Sequence, residues 1–212
     1  MSMIDLLKNE RARNTAIFGV VTGIVTNNQD PENLGRVKVK IPRLSGDDES
    51  EWARVVSFMA GNDRGAVFLP EVDDEVLVAF EFGDLSMPYI IGSLWNGQDA
   101  PPQLNSDGEN NIRIIKSRSG HVIRLNDKDG EETIEIVDKS EANSIVINTA
   151  DNKVTITSDA DIEIICPNGK FLVDANEIQM KTATAINLKA DGDLKAEASG
   201  TMTLKGATVN IN

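Results

Sequence analysis

Few residues of this 212-residue chain have types suited to chemistry. His121 is the sole histidine and Cys166 the sole cysteine. One histidine cannot build a multi-histidine metal site within one chain. In the run S-G-H before a strand-like stretch it is read as a structural turn residue rather than as the base of a nucleophilic relay. Cys166 precedes Pro167 without an activating base nearby in sequence, which fits a turn thiol better than a nucleophile. The acidic run DDESE (47–51) lacks the ligand spacing of an EF-hand and reads as a solvated loop. The pairs Asp73/Asp74 and Glu131/Glu132 are adjacent, so they cannot face each other across a cleft as glycoside hydrolysis requires. Trp52 and Trp95 could stack bases, but the surrounding hundred residues carry 9 basic and 16 acidic side chains. Nucleic-acid affinity rests on cationic contacts to phosphate, so barrel packing or a subunit interface is the better reading. Gly83, Gly92 and Gly97 belong to no phosphate-binding pattern and serve turns and close approach. No catalytic, cofactor-binding or metal-ligating set emerges, and the chain is read as a non-enzyme without cofactor. Three copies of His121 around an axis are the one place an ion could sit.

The elements that carry these residues fall into two unlike halves. Eight of the nine aromatic residues precede residue 100, and Phe171 stands alone after it. Net charge is −13, divided almost evenly between the halves, which favours a soluble particle without nucleic acid as partner. A single cysteine excludes an internal disulfide framework. The N-terminal MSMIDLLKNERARNTA has no apolar stretch of signal-peptide length, so synthesis in the cytoplasm without a signal peptide is expected.

Residues 1–15 read as an arm or short helix. From 16 to 97 the runs VVTGIVT (20–26), RVKVKIP (36–42), WARVVSF (52–58), GAVFLP (65–70), EVLVAFEF (75–82) and YIIGSLW (89–95) alternate or are β-branched, and turn formers divide them. Five or six such strands predict a small closed barrel. Val37, Val39 and Ile41 should face inward and Lys38 and Lys40 outward. A polar linker follows over 98–111.

From 112 to 212 an apolar-x-apolar unit repeats. It begins at Ile112/Ile114, Ile123/Leu125, Ile134/Ile136, Ile145/Ile147 and Val154/Ile156. It continues through Ile162/Ile164, Phe171/Val173, Ile178/Met180, Ile186/Leu188, Leu194/Ala196, Met202/Leu204 and Val209/Ile211. The spacing starts at eleven and settles near eight. Two aliphatic side chains return less free energy than ordering an eight-residue ribbon costs, so each unit must stack on others. A monomeric solenoid and three chains wound about one axis both satisfy the period.

Several of these pieces also carry a resemblance. G-R-V-K-V before a proline (35–42), W-A-R-V (52–55), F-L-P-E-V-x-D-E-V-L-V-x-F (68–80) and the G-D-x-x-x-P-Y-I-I-G-S-L-W-N-G ending (83–97) resemble the OB-fold domain of contractile-tail spike proteins. That family includes phage baseplate assembly protein V, VgrG proteins of type VI secretion, and spikes of pyocin-like and extracellular injection particles. SRSGHVIRLNDKDGEETIEI (117–136) is similar to the start of the family's β-helix.

The resemblance implies an all-β chain: an N-terminal OB-fold barrel followed by a C-terminal β-helical prism formed by three intertwined chains. It implies a homotrimer acting as a membrane-puncturing spike, with a separate hub protein and inner tube, other baseplate proteins and a PAAR-type tip protein as partners. The target membrane would be contacted mechanically, and the chain would be assembled into a phage, tail-like or extracellular particle. Ile162, Ile164, Ile178, Met180, Ile186, Leu188, Leu194, Met202 and Leu204 would fill the prism core, and Val209, Asn210, Ile211 and Asn212 would seat the tip. The linker leaves no space for an inserted lysozyme domain, and TVNIN lacks the H-x-H of an iron-bound apex. A trimeric tail fibre or adhesin binding a glycan or receptor remains the alternative, with an envelope-degrading enzyme behind it.

Overall fold

The computed structural model describes residues 16–44 and 48–211. The expected N-terminal arm, Asp47 of the acidic run, and Asn212 lie outside them. Contacts divide the chain into two units, the first ending at Asp161 and the second beginning at Ile162.

The first unit opens with a closed barrel. β1 (Val20–Asn27), β2 (Arg36–Lys40), β3 (Ala53–Val55), β6 (Glu75–Phe80) and β7 (Pro88–Ser93) close in the order β1-β2-β3-β7-β6. A two-residue-per-strand hairpin, β4 (Ala60–Gly61) with β5 (Arg64–Gly65), stands off the barrel between β3 and β6. Neighbours are antiparallel except β3 with β7, which run parallel. Alternation dictates the interior. Val25, Val37, Val39, Ile41, Ala53, Val76, Val78, Phe80 and Ile90 form the buried core. Gly23 is needed where strands crowd: a Cβ there would lie 3.1 Å from Val78 Cγ2 and 3.3 Å from Val39 Cβ.

The turn between β1 and β2 is organised by Asp30. Its carboxylate accepts the N–H groups of Glu32, Leu34 and Arg36, and both Nε and Nη2 of Arg36 at 2.9 and 2.7 Å. The Arg36 guanidinium, with those backbone donors, holds the Asp30 carboxyl far below the usual carboxylate range.

Two expected strands differ. GAVFLP (65–70) is not a strand: beyond Gly65 the chain continues without a ladder, held at Ala66 by Met59 O and Ser57 Oγ and at Pro70 by Asn28. The barrel is already closed by five strands, and Pro70 has no N–H to give to a sixth. EVLVAFEF ends at Phe80, because Phe82 (φ 51°) and Gly83 (φ 79°) both take left-handed conformations.

After the linker comes an antiparallel meander of one chain: β8 (Ile112–Lys116), β9 (Val122–Asn126), β10 (Thr133–Val137), β11 (Ser144–Asn148) and β12 (Lys153–Thr157), each beside the next. The spacing of the first units is thereby explained: five-residue strands reverse direction through connections of four to six residues, with Gly130 (φ 77°) and Glu141 (φ 62°) supplying left-handed turn residues. Over 112–157 the strands of the repeat therefore pair within the chain. From Ile162 to Ile211 there is no helix or strand, and every described residue is exposed. Bends at 167–169, 176, 183–184, 191–192, 199–200 and 207 fall one between each successive apolar pair. The octad is thus a geometric unit of this ribbon, although it finds no ladder within its own chain. Among the described residues no helix is long and apolar enough to cross a membrane.

Candidate functional site

The meander has one polar and one apolar face. Registers place Ile115 beside Ile123, then Ile136, Ile145 and Ile156 in one row across five strands. Leu125, Ile134, Ile147 and Val154 form the second row. These nine side chains keep 40–64% of their surface exposed. Monomeric soluble proteins rarely expose so continuous an apolar patch, and such patches mark contact surfaces. Part of the face is concave, a depression of about 510 Å³ around Ile115, Ile123, Ile136 and Ile145.

The opposite face is built for water. Arg124 and Glu135 pair across strands at 3.0 Å, and Thr133 Oγ1 donates to Glu135 Oε1 at 3.0 Å. Arg113, opposite Leu125, ends the second row of the apolar face and meets Asp127 at 2.6 Å.

The first repeat unit breaks this pattern. Ile114 lies opposite Arg124 and Ile112 opposite Asn126, so the Ile112/Ile114 pair is on the polar face. There it meets Trp95, Pro101, Pro102 and Leu104, which with it line a notch of about 300 Å³. The linker supplies the apolar cover that this pair needs. A second tie joins barrel and meander: Arg118 in the β8–β9 turn pairs with Glu71 at 2.6 Å.

The residues singled out for chemistry sit apart. His121 is exposed, and its Nδ1 accepts the Lys139 N–H at 3.2 Å, a turn contact between two hairpin ends. Cys166 is exposed, its carbonyl accepting the Gly169 N–H. Asp74 Oδ2 accepts the Glu71 N–H at 2.8 Å and Asp73 (φ 77°) turns the chain into β6, so this pair shapes a turn. Glu131 is paired with Lys128, and Glu49 of the acidic run with Lys38 at 3.4 Å. Trp52 packs beneath Arg36 and Lys38, at 5.9 and 5.7 Å from its ring centre. Trp95 is mostly exposed. Among the described residues no group of three His, Cys, Asp or Glu side chains could hold a metal ion.

The expected prism-core residues, Ile162, Ile164, Ile178, Met180, Ile186, Leu188, Leu194, Met202 and Leu204, all lie in the second unit and are exposed, as are Val209, Asn210 and Ile211. A single chain brings none of them together.

Residues 21–95, nearly the whole barrel, match the family described as type VI secretion system/phage-baseplate injector OB domain. The match is confined to the barrel and leaves the meander and the ribbon outside it. A type VI secretion system spike protein, VgrG3, of Vibrio cholerae serotype O1 is 37% identical over 75 residues, covering 34% of this chain and 7% of the relative. Spike protein VgrG5 of Pseudomonas aeruginosa is 38% identical over 87 residues, covering 39% of this chain and 11% of the relative. A third relative, the actin cross-linking toxin VgrG1 of Vibrio cholerae, is 36% identical over 72 residues, 32% of this chain and 7% of its own length. The chain thus spans only a small part of the curated relatives it matches, and the likeness centres on the injector OB barrel.

Proposed function

We propose that this chain is the structural central spike of a contractile tail or injection-system baseplate, working as a homotrimer. The observation that supports it most is the open apolar face of β8–β12 following an injector OB barrel. Three such sheets set as the walls of a three-sided prism would turn their apolar rows inward and their Arg124/Glu135 faces to water. The remaining half of nine aliphatic side chains would then be buried. At about 1.5–3 kcal/mol for a whole side chain, that is roughly 7–13 kcal/mol per chain, comparable with the net stability of an entire domain.

In the second unit, the bends between octads suit three ribbons winding about one axis, with the Ile162 to Leu204 pairs in the centre. Closed antiparallel ladders and wound ribbons both leave few free edges, which suits transmitting a push. In this reading the spike joins a hub protein and inner tube, among other baseplate proteins, to a PAAR-type tip near Val209–Asn212, and it acts on the target membrane mechanically, without catalysis or nucleic acid. It would reside in the assembled particle. The test is the mass of the purified chain by light scattering, followed by electron microscopy of the native particle. A threefold mass and density for this chain at the end of a tube are expected. A monomer, or a particle lacking it, overturns the proposal.

A further inference from the structure

One turn of the ribbon is built so that the chain can alter its own covalent structure. An asparagine side chain is open to attack by the next residue's backbone nitrogen when that residue is small and nothing holds the amide still. Among the described residues four asparagines precede Gly or Ser: Asn96, Asn105, Asn143 and Asn168. Three of them are pinned. Asn96 Nδ2 donates to Glu75 Oε2 and Asp99 Oδ2 at 3.1 and 3.0 Å, and its Oδ1 accepts the N–H groups of Gln98 and Asp99, both at 2.8 Å. Asn105 Oδ1 accepts the Asn110 N–H at 2.7 Å. Asn143 Nδ2 donates to Asp138 Oδ2, and its Oδ1 accepts the Asp159 N–H, both at 3.1 Å.

Asn168 is not held. It lies in the exposed Cys166–Gly169 turn between the Ile162/Ile164 and Phe171/Val173 pairs, and its amide has no hydrogen-bond partner among the described residues. The Gly169 N–H donates to Cys166 O at 3.3 Å, longer than the usual distance of about 2.9–3.0 Å. A Cβ would meet nothing within 4 Å at either Gly97 or Gly169. Space therefore does not separate the two Asn-Gly pairs, whereas the grip on the amide does.

We propose that Asn168–Gly169 is a self-modification site, at which the chain deamidates through a cyclic imide with water as the only co-reactant. Gly169 N gives its proton to solvent base and attacks Asn168 Cγ. The new C–N bond closes the imide ring, and Nδ2 leaves as ammonia. Water then adds to one of the two imide carbonyls and breaks the C–N bond there. Opening at Cγ leaves aspartate; opening at the backbone carbonyl leaves isoaspartate, whose main chain runs through Cβ and Cγ. Either product adds a negative charge beside Lys170, and isoaspartate lengthens the backbone by one carbon in a ribbon whose apolar pairs are set by residue count. The turn lies between those pairs rather than within one, so the site does not depend on how many chains assemble.

The full-length protein, aged at mildly alkaline pH, tests this by peptide mass spectrometry, with isoaspartyl methyltransferase labelling to count isoaspartate. Asn168 should convert at least about tenfold faster than Asn96, Asn105 or Asn143, and Gly169→Ala should slow it by a similar factor while leaving the other three unchanged. In urea the three pinned sites should accelerate and Asn168 should change little. Equal native rates at all four sites overturn the proposal. So does an Asn168 that converts only after unfolding, since a contact absent from the single chain would then be holding it. Conversion to aspartate without isoaspartate overturns the imide route. Should Gly169→Ala fail to fold, the comparison of native and urea-unfolded parent decides alone.

Discussion

Ile134 is the centre of the second apolar row, flanked by Leu125 and Ile147, and 43% of its surface is exposed in the single chain. Truncation to alanine separates an open sheet from a closed prism. On an open sheet little more than half of the side chain contributes, and Ile134→Ala should cost about 1 kcal/mol. Inside a closed prism the loss is that of a buried aliphatic core residue, about 2–5 kcal/mol per chain, repeated in each of the three copies. Val146→Ala on the opposite face is the control, since Val146 is already half-buried in the single chain and its surroundings are the same whether the apolar rows are open or covered. Urea unfolding followed at two protein concentrations a hundredfold apart gives both numbers. The parent midpoint should rise with concentration, as for any protein whose folded state is an assembly, and Ile134→Ala should lower it far more than Val146→Ala. Equal effects of the two substitutions, with a midpoint independent of concentration, would refute the closed prism.

Other outcomes follow from the barrel and the ribbon. Asp30 is held ionised by Arg36 and three backbone N–H groups. Its folded pKa therefore lies below the unfolded value near 3.9, and its stabilisation is complete above that value and lost as pH falls through and below it. Thermal melts between pH 7 and pH 3 should show the parent losing more stability than Asp30→Asn over that window, and parallel losses would contradict the assignment. Gly23→Val forces carbon against Val78, Val39 and Lys40 O, and overpacking of this kind should cost about 1–3 kcal/mol in a thermal melt. Arg124→Ala removes a pair whose members are 38% and 21% exposed, so it should cost less than about 1 kcal/mol and lose even that effect in high salt. The ribbon from Ile162 onward offers every residue to solvent in one chain. If three copies wind together, trypsin should leave it uncut at Lys170, Lys181 and Lys195 under native conditions, and rapid cleavage there would mean that the ribbon is unpartnered.

The barrel was legible because its signal is local. In RVKVKI each inward valine alternates with an outward cation, and Val37, Val39 and Ile41 are indeed buried. GAVFLP carries the same residue types, but whether a run becomes a strand depends on a free partner edge, and the barrel has none left. The repeat was legible as a period, whereas its pairing was not. Spacing sets how far apart apolar pairs stand along the chain, and hydrogen-bond partners come from wherever the next strand happens to lie. The longer units fold back on themselves through returns of four to six residues, whereas an eight-residue unit leaves only three after a five-residue strand. Ile112/Ile114 looked identical to its successors in sequence. Only the register against Arg124 and Asn126 shows that it faces the linker. The exposure of Phe58 and Phe68 is not legible in sequence, because an apolar residue in a strand-like run is buried only if the run finds a partner edge.

Trp52 lies under Arg36 and Lys38 on the barrel, and Trp95 lines the notch where the linker covers Ile112 and Ile114. No tryptophan occurs beyond residue 95. The protein is thereby optically partitioned. Its indole fluorescence reports the barrel and the linker joint and is blind to the repeats, whereas the far-ultraviolet signal of β structure comes from both barrel and meander. Loss of the second signal before the first would trace fraying of the repeats, and the reverse order would trace failure of the barrel. Each Trp→Phe variant silences one reporter, so the wild-type chain needs no dye to reveal which part yields first under heat, acid or load.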